Sequence, residues 1–263
     1  MIVLSVTNYK GGTGKTLISL ILTQCLKEKG YRVCYLDLCL NRQGELYLKN
    51  RKDEYGLPAP WDYYSAANAR ETADIIDKLE AQDIYDFMIV DASGPQSHLT
   101  LDLFARTDLT LIAVTDNISS RDLALLTQET LLREQSRLGR ALHHAFIFTD
   151  IELDNNNETC RNIKRQTAMS NASYVKQVLP YRPFYRDLFQ GLVFAEMNAE
   201  YDGERLYPSA EVKDVHDEAV RFVTQIMNMA VEKNQIALPN IQNNPNEASL
   251  TQTKIVQLKH GRL

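Results

Sequence analysis

The feature that most constrains the fold is an apolar segment near the N-terminus that leads through a glycine-rich loop into an amphipathic segment. The run IVLSVT, residues 2–7, is apolar and β-branched, which predicts a buried strand. The loop NYKGGTGKT follows, and hydrophobic residues then recur at helical spacing until Gly30. The next run, YRVCYLDL, predicts a second strand. Strands joined through a helix run parallel with a right-handed crossover, so residues 2–38 predict an α/β unit.

The rest of the chain continues this alternation as far as residue 235. Predicted strands cover 85–92, 108–115, 143–150 and 174–180. Predicted helices cover 69–81, 98–106, 120–139, 155–170 and 208–234, and residues 61–68 are predicted to form a loop. The pattern predicts a mostly parallel twisted sheet with helices on both faces. Because residues 236–263 are rich in Asn, Gln and Pro, we expect one folded domain over 1–235 and a flexible or partner-dependent tail over 236–263.

Composition excludes some classes of protein. The 263 residues carry a net charge of −5, so the chain as a whole is not a polycation, and contact with nucleic acid would need a local basic patch. The cysteines Cys25, Cys34, Cys39 and Cys160 form no CxxC pair, which is typical of reduced thiols in a cytosolic protein. No apolar run approaches the roughly 18–20 residues that a membrane span needs.

The glycine-rich loop is close to the pattern GxxxxGK[ST], in which backbone N–H groups and a helix N-terminus bind phosphates. Gly14, Lys15 and Thr16 match it, but Tyr9 occupies the position of the first glycine. In this pattern the lysine reaches the β- and γ-phosphate oxygens and the hydroxyl binds magnesium. A glycine-rich turn without a ligand is the alternative, but a chance match to KGGxGK[ST] has odds on the order of 10⁻⁴. The loop therefore predicts nucleotide binding.

The segment KGGTGKT resembles the deviant Walker A motif of the ParA/MinD family of P-loop ATPases. The resemblance implies binding of ATP or ADP with Mg²⁺, and a homodimer that holds ATP between its two subunits. It also implies that Lys15 contacts the nucleotide of its own subunit, whereas Lys10 reaches the nucleotide of the partner. A lysine from each side would offset the repulsion between two polyphosphates. The alternative for Lys10 is a solvated loop lysine.

Two aspartates close predicted strands beside this loop. Asp37 ends the second strand and Asp91 ends the strand DFMIVD, and the carboxyl ends of strands in open α/β sheets border the ligand site. The resemblance assigns Asp91 as the Walker B aspartate and Asp37 as the first aspartate of the family's D-x-D-P-Q-G segment. Magnesium takes oxygen ligands and keeps several waters, so the expected metal residues are Thr16, Asp37 and Asp91. The expected catalytic residues are Lys10, Lys15 and Asp37. For either aspartate alone, a loop-capping role is the alternative.

The chain departs from the family where the water-orienting aspartate should stand. The segment reads DLCLNRQG, and the second family aspartate falls on Cys39. A thiol is a poor substitute for a carboxylate in positioning or polarising water. Asn41, Gln43 and Glu45 are nearby candidates for that role. The expected activity is therefore a weak ATP hydrolysis that a partner stimulates.

The resemblance also implies that two later strand ends, at FTD and LPYR, border the adenine base. Ordinary loop residues are the alternative there. The residues expected to bind nucleotide are then Lys10, Gly11, Gly12, Thr13, Gly14, Lys15, Thr16, Leu17, Thr149, Asp150, Pro180 and Tyr181.

A cluster of basic residues lies in the last third of the chain. Arg161, Lys164 and Arg165 are spaced i, i+3 and i+4, which places them on one face of the predicted helix. Partition members of the resembled family bind DNA without sequence preference through basic residues in this part of the chain. Such binding needs only phosphate contacts, and a solvated charged face is the alternative. The expected DNA-binding residues are Arg161, Lys164, Arg165, Lys176, Arg182 and Arg186.

In IVDASGPQS and in residues 174–196 the chain most resembles small plasmid-partition ATPases of the ParA type. This implies a cytoplasmic, nucleoid-associated protein that segregates or positions DNA with a ParB-like, centromere-binding adaptor. Two alternatives stay open. One is a MinD-like or transfer-DNA positioning ATPase at the membrane or pole. The other is a nucleotide-gated dimer switch with little hydrolysis because of Cys39. A membrane partner is not expected, since the end of the tail, KIVQLKHGRL, is short and only modestly apolar.

Overall fold

The computed structural model describes residues 1–92, 98–151, 161–162, 165, 173–180, 182–197, 200–201, 204–205 and 209–239. The strands are β1 (Ile2–Thr7), β2 (Val33–Asp37), β3 (Asp62–Ser65), β4 (Phe87–Asp91), β5 (Leu109–Val114), β6 (His144–Ile151), β7 (Ser173–Tyr174), β8 (Leu179–Pro180), β9 (Glu200–Tyr201) and β10 (Glu204–Arg205). The helices are α1 (Lys15–Glu28), α2 (Gln43–Tyr55), α3 (Ala69–Gln82), α4 (His98–Phe104), α5 (Ile118–Leu138), α6 (Phe184–Phe189), α7 (Phe194–Met197) and α8 (Ser209–Asn234).

A parallel sheet carries the fold. Its strand order is β3-β2-β4-β1-β5-β6-β7, and β8 also pairs with β6. Every pairing in this sheet is parallel, which confirms the predicted fold class. β4 lies between β1 and β2, so the loop after β1 has the end of β4 beside it and the end of β2 one strand further away. The short strands β9 and β10 form a separate antiparallel pair.

Alternating side chains of β1 explain why helices cover both faces of the sheet. Leu4 and Val6 are fully buried and pack in one apolar core with residues of α1 and α8. Val3, which points to the opposite face, belongs to a second core that includes residues of α3. A third core lies between β5, β6 and α5. A strand that is buried on both faces reads as a continuous apolar run, which is what the sequence shows.

The predicted elements and the observed ones differ in several places, and the segments α6, α7, β9 and β10 were not predicted. The predicted loop over 61–68 contains the strand β3, and the helix α2 was not predicted at all. The single strand predicted over 174–180 is wrong, because the chain forms β7 and β8 with a non-strand segment between them. Of the helix predicted over 155–170, only residues 161, 162 and 165 are described, and all three are helical. Residues 240–263 of the predicted tail lie outside the described part of the chain.

Candidate functional site

The glycine-rich loop turns tightly between the end of β1 and the start of α1. Gly12 and Gly14 have φ values of 73° and 76°, a left-handed conformation that strains any residue with a Cβ. Gly14 is also the residue that precedes the first turn of α1. The backbone N–H groups at this helix start therefore face the open side of the loop, where they can bind an anion.

The two lysines of the loop are joined to each other. Lys15 Nζ donates a hydrogen bond to the backbone carbonyl oxygen of Lys10 at 2.8 Å. Burial lowers the pKa of Lys15, although the nearby Asp91 carboxylate acts in the opposite direction. The backbone N–H of Lys10 donates to Asn8 Oδ1 at 2.9 Å, and Asn8 is itself anchored on the carbonyl of Ala113. The loop is thus folded around the Lys10 carbonyl, with the ammonium of Lys15 held at its centre.

Tyr9, which replaces the first glycine of the general pattern, attaches the loop to α5. Its hydroxyl lies 3.2 Å from Thr130 Oγ1, and its backbone N–H donates to Thr127 Oγ1 at 3.4 Å. A glycine at this position could make the second contact but not the first. The departure from the general pattern therefore supplies a side-chain tether between the phosphate loop and a neighbouring helix.

The two aspartates lie side by side because Asp37 and Asp91 are register partners of β2 and β4. Asp37 is held by hydrogen bonds from the backbone N–H groups of Cys39 (2.8 Å) and Gly44 (2.9 Å) and from the Tyr63 hydroxyl (3.2 Å). Burial raises the pKa of Asp37, and these hydrogen bonds oppose the rise. The carboxylate is thereby fixed in one orientation at the carboxyl end of the sheet.

Asp91 differs from Asp37 in having one carboxylate oxygen that accepts no hydrogen bond from a described donor. Its Oδ2 accepts a hydrogen bond from the Tyr35 hydroxyl at 3.0 Å. Its Oδ1 is buried and meets no donor with hydrogen-bonding geometry among the described residues. Burial raises the pKa of Asp91 to about 6, and the Thr16 hydroxyl acts in the opposite direction. A buried acceptor without a donor, beside a hydroxyl and a second carboxylate, suits Mg²⁺ or one of its waters, so the predicted set Thr16, Asp37 and Asp91 fits this ion.

Cys39 stands at the same edge of the sheet. Its thiol lies 3.6 Å from the backbone carbonyl oxygen of Asp91, and burial raises its pKa. One ligand atom from each of Asp37, Cys39 and Asp91 lies within 4.8 Å of the others. Cys39 therefore lies beside both of the carboxylates that are predicted to hold the metal.

A cavity of about 430 Å³ opens beside the phosphate loop. Thr149, one of the residues predicted to border the base, donates from Oγ1 to the carbonyl of Thr13 at 3.1 Å and so joins the cavity wall to the loop. Pro180 also lines the cavity, whereas the side chain of Asp150 and the whole of Tyr181 lie outside the described residues. The lining residues are Gly12, Gly14, Leu17, Ile18, Thr149, Leu179, Pro180, Arg182, Pro183, Tyr185, Phe189 and Gln190.

Sequence reasoning missed the wall that α6 contributes to this cavity. Tyr185 and Phe189 are spaced i and i+4 within the segment FYRDLF, so both reach the same face of this short helix. The sequence did carry a signal for this wall, namely two aromatic side chains at helical spacing shortly after a predicted strand end. They offer flat apolar surface of the kind that stacks against a base.

The predicted DNA-binding residues are not all placed alike. Arg161 and Arg165 are exposed on helical backbone, and Lys176 is exposed between β7 and β8. Arg182 instead lines the cavity and forms an ion pair with Glu218 at 3.2 Å. Lys164 and the side chain of Arg186 lie outside the described residues. The structure thus places Arg182 at the cavity beside the phosphate loop, and its assignment to a DNA surface stays a prediction.

The fold and the loop define a P-loop nucleotide-binding protein. The model of the CobQ/CobB/MinD/ParA nucleotide binding domain matches residues 4–192. The chain therefore belongs to this family, whose ParA and MinD members are nucleotide-binding ATPases. In the part of the chain that the structure describes, no helix is both long and apolar enough to cross a bilayer.

Individual relatives agree with this membership. Protein ParA of Rhizobium radiobacter is 23% identical over 191 residues, which cover 72% of this chain and 83% of that protein. The MinC:MinD cell division protein complex of Aquifex aeolicus matches with a TM-score of 0.63 at 16% identity, covering 92% of this chain and 99% of that one. The septum site-determining protein MinD of Pyrococcus horikoshii, solved with Mg-ADP, matches with a TM-score of 0.56 at 16% identity, covering 89% and 99%. The likeness to these structures is a likeness of fold.

Proposed function

We propose that the protein is a partition ATPase that dimerises around ATP and Mg²⁺, binds DNA without sequence preference, and segregates or positions that DNA with a centromere-binding adaptor. The observation that carries the proposal is the loop with two lysines. A P-loop needs one lysine for its own nucleotide, and Lys15 already fills that place at the start of α1. Lys10 is the additional cation. Its role on this proposal is to reach the nucleotide of a second subunit.

The contacts within the loop support this division of roles. Lys15 is partly buried and bonded to the carbonyl of Lys10, so it is held close to the phosphate position. The side chain of Lys10 is partly exposed, while its backbone is fixed by Asn8. A fixed backbone with a solvent-accessible ammonium group is suited to contact a charge that arrives from outside the subunit.

The roles of the other residues follow from the same site. Thr16 and Asp91 would hold Mg²⁺ or its waters, and that ion would neutralise charge on the β- and γ-phosphates. Asp37, fixed by three donors, would orient a water of the metal or of the reaction. Tyr185 and Phe189 would contact the base in the 430 Å³ cavity. The exposed Arg161, Arg165 and Lys176 would contribute phosphate contacts to DNA.

Cys39 favours one alternative, a nucleotide-gated dimer switch that scarcely hydrolyses ATP. No carboxylate follows Asp37 at the position that the family uses to orient water, and the thiol there is turned toward the carbonyl of Asp91. Turnover of the wild type and of Cys39→Asp, measured with DNA and the adaptor present, separates the two. Full turnover by the wild type would rule out the switch, whereas a large gain in Cys39→Asp alone would favour it.

The test of the main proposal is retention of DNA by the protein in ATP and in ADP at low salt. We expect retention with ATP and little with ADP, and we expect it to fall steeply as salt rises. Lys10→Ala should lose ATP-dependent dimerisation and DNA retention while still binding nucleotide through Lys15. Lys78→Ala, which removes an exposed lysine on α3, is the matched control and should behave as wild type. Equal DNA binding in ATP and ADP, or none in either, would contradict the proposal.

A further inference from the structure

Among the described residues that line the cavity, Arg182 is the charged one, and the proposed ATP reaction makes no use of it. The same cavity is lined by Gly12 and Gly14 of the phosphate loop. A ligand whose phosphates lie on that loop therefore shares the cavity with the guanidinium group of Arg182. Arginine is well suited to bind phosphate, because its planar group offers two parallel N–H donors to one anion.

The contact that holds Arg182 in this structure is incomplete. Its Nη2 donates to Glu218 Oε2 of α8 at 3.2 Å, while its Nε is buried and meets no acceptor among the described residues. Glu218 Oε1 is likewise buried and meets no donor in that part of the chain. A buried polar atom without a partner costs free energy. The pair therefore leaves hydrogen-bonding capacity unused on both of its sides.

Another arginine–glutamate pair of the same chain shows what a complete contact looks like. Arg51 donates from both terminal nitrogens to Glu196 at 2.6 Å each, and both side chains are buried. The side chain of Arg182, in contrast, is 36% exposed, and that of Glu218 is 9% exposed. Arg51 is thus fixed in the interior of the protein, whereas Arg182 has a longer hydrogen bond to its carboxylate and borders an open cavity.

Tyr185 of α6 offers Glu218 another donor. The Tyr185 hydroxyl is buried and meets no partner among the described residues. Burial and the nearby Glu218 carboxylate raise the pKa of Tyr185, so the two side chains face each other. When the guanidinium group of Arg182 moves to an anion in the cavity, the Tyr185 hydroxyl can donate to Glu218 in its place. Glu218 therefore has two alternative donors, and an anionic ligand decides between them.

We propose that Arg182 binds a phosphate group of the nucleotide in its own subunit, and that it leaves Glu218 when it does so. The inference rests on the part of the proposed function that places a nucleotide on the phosphate loop, and it needs neither DNA nor an adaptor. It gives Arg182 a role other than the predicted contact with DNA. Without nucleotide, Glu218 competes with phosphate for the guanidinium group. Nucleotide binding then changes the contacts of α8 as well as those of the loop.

The first experiment measures the affinity for ADP with Mg²⁺ by calorimetry, in the absence of DNA. Arg182→Gln should weaken ADP binding by about 10- to 100-fold, the size expected for a hydrogen bond between charged groups. Glu218→Gln should tighten ADP binding by up to about fivefold, because the carboxylate no longer competes for the guanidinium group. Arg221→Gln is the matched control, since Arg221 is an exposed arginine near the same carboxylate, and it should leave the affinity unchanged.

The opposite signs of the two substitutions separate this role from a structural one. If the Arg182–Glu218 contact only stabilised the fold, both variants would weaken ADP binding or neither would change it, and either result would overturn the inference. In the double variant, Glu218→Gln should add nothing to the effect of Arg182→Gln, because no guanidinium group remains to be held. Circular dichroism checks that each variant is folded. A wild type that binds no ADP would contradict the proposed nucleotide site, and this inference with it.

The second experiment replaces ADP with inorganic pyrophosphate, which can occupy the phosphate loop but has no ribose and no base. We expect Arg182→Gln to weaken pyrophosphate binding by a factor similar to that for ADP. If the variant binds ADP more weakly but pyrophosphate as tightly as the wild type does, Arg182 contacts the ribose or the base. That result would contradict a phosphate contact while leaving the proposed nucleotide site intact.

Discussion

The cavity beside the phosphate loop has two sides, which we propose to hold the phosphates and the base, and these sides are built in different ways. On the phosphate side, the loop between β1 and α1 and the ends of β2 and β4 supply the polar groups from segments that are adjacent in the sheet. On the base side, the wall comes from β6, β8 and α6, which approach the loop from distant parts of the sequence. The phosphate side therefore depends on local backbone geometry, and the base side depends on tertiary contacts that hold α6 in place.

One buried ion pair joins the segment after α6, on the base side, to the helix α2. Arg51 of α2 donates from both of its terminal nitrogens to the carboxylate of Glu196 in α7, at 2.6 Å each. It also donates to the carbonyl oxygens of Gly191 (2.9 Å) and Pro58 (2.5 Å). Gly191 has a φ of 120° and packs so closely on Arg51 that a Cβ would come within 2.7 Å of its backbone nitrogen. A helix on the phosphate side of the molecule thereby fixes the segment between α6 and α7.

The largest effect is expected from breaking this pair. Arg51→Ala leaves the Glu196 carboxylate buried without its partner, which should lower the free energy of unfolding by about 3–5 kcal/mol. Urea denaturation measures the change. The double variant Arg51→Met with Glu196→Leu removes both charges, and we expect it to recover a large part of the loss because no unpaired charge remains. If the double variant is as unstable as Arg51→Ala, the pair is not acting through its charges.

A smaller effect is expected on the phosphate side, where backbone conformation is the main constraint. Gly14→Ala places a Cβ at a φ of 76°, which should cost about 1–2 kcal/mol of folding free energy. The added atom would lie 3.6 Å from Thr149 Oγ1, an ordinary contact, so the strain of the backbone accounts for the loss. Gly11→Ala is the matched control, because Gly11 lacks a positive φ and its Cβ would meet nothing within 4 Å. Equal losses in the two variants would contradict this account.

The same difference explains what the sequence could and could not predict. The phosphate loop, β1, β4 and the Asp37–Asp91 pair follow from short motifs and apolar runs, because the register of parallel strands brings adjacent strand ends together. The helix α2 was missed because only Gly44, Tyr47 and Arg51 in it are buried, which leaves almost no apolar periodicity. The strand predicted over 174–180 was wrong because β8 pairs with β6 across a register irregularity between Thr149 and Ile151. That irregularity, like the place of Arg51, is set by contacts between distant segments.

The smallest effect concerns the contact that joins the two sides. His216 of α8 lies 2.7 Å from Glu28 at the end of α1, and its ring packs against Phe194 of α7 at 5.1 Å between centroids. The hydrogen bond to Glu28 raises the pKa of His216, with burial opposing and with Asp217 and Lys29 as the further charges that face it. Both side chains are about one third exposed, so solvent screens the pair and it should contribute no more than about 1 kcal/mol.

The pH dependence of stability follows from that direction. A histidine whose folded pKa is raised stabilises the fold fully below its unfolded value of about 6.5, and this contribution is lost as pH rises through the folded pKa. The free energy of unfolding of the wild type should therefore exceed that of Glu28→Gln at about pH 5.5, and this difference should shrink toward about pH 8. These two pH values lie on either side of the pKa of a free histidine. In a chain that carries His216→Gln, the further change Glu28→Gln should produce no pH-dependent difference in the free energy of unfolding. If the difference between wild type and Glu28→Gln is the same at every pH, Glu28 stabilises α1 by itself. The contact between α1 and α8 would then not depend on the protonation of His216.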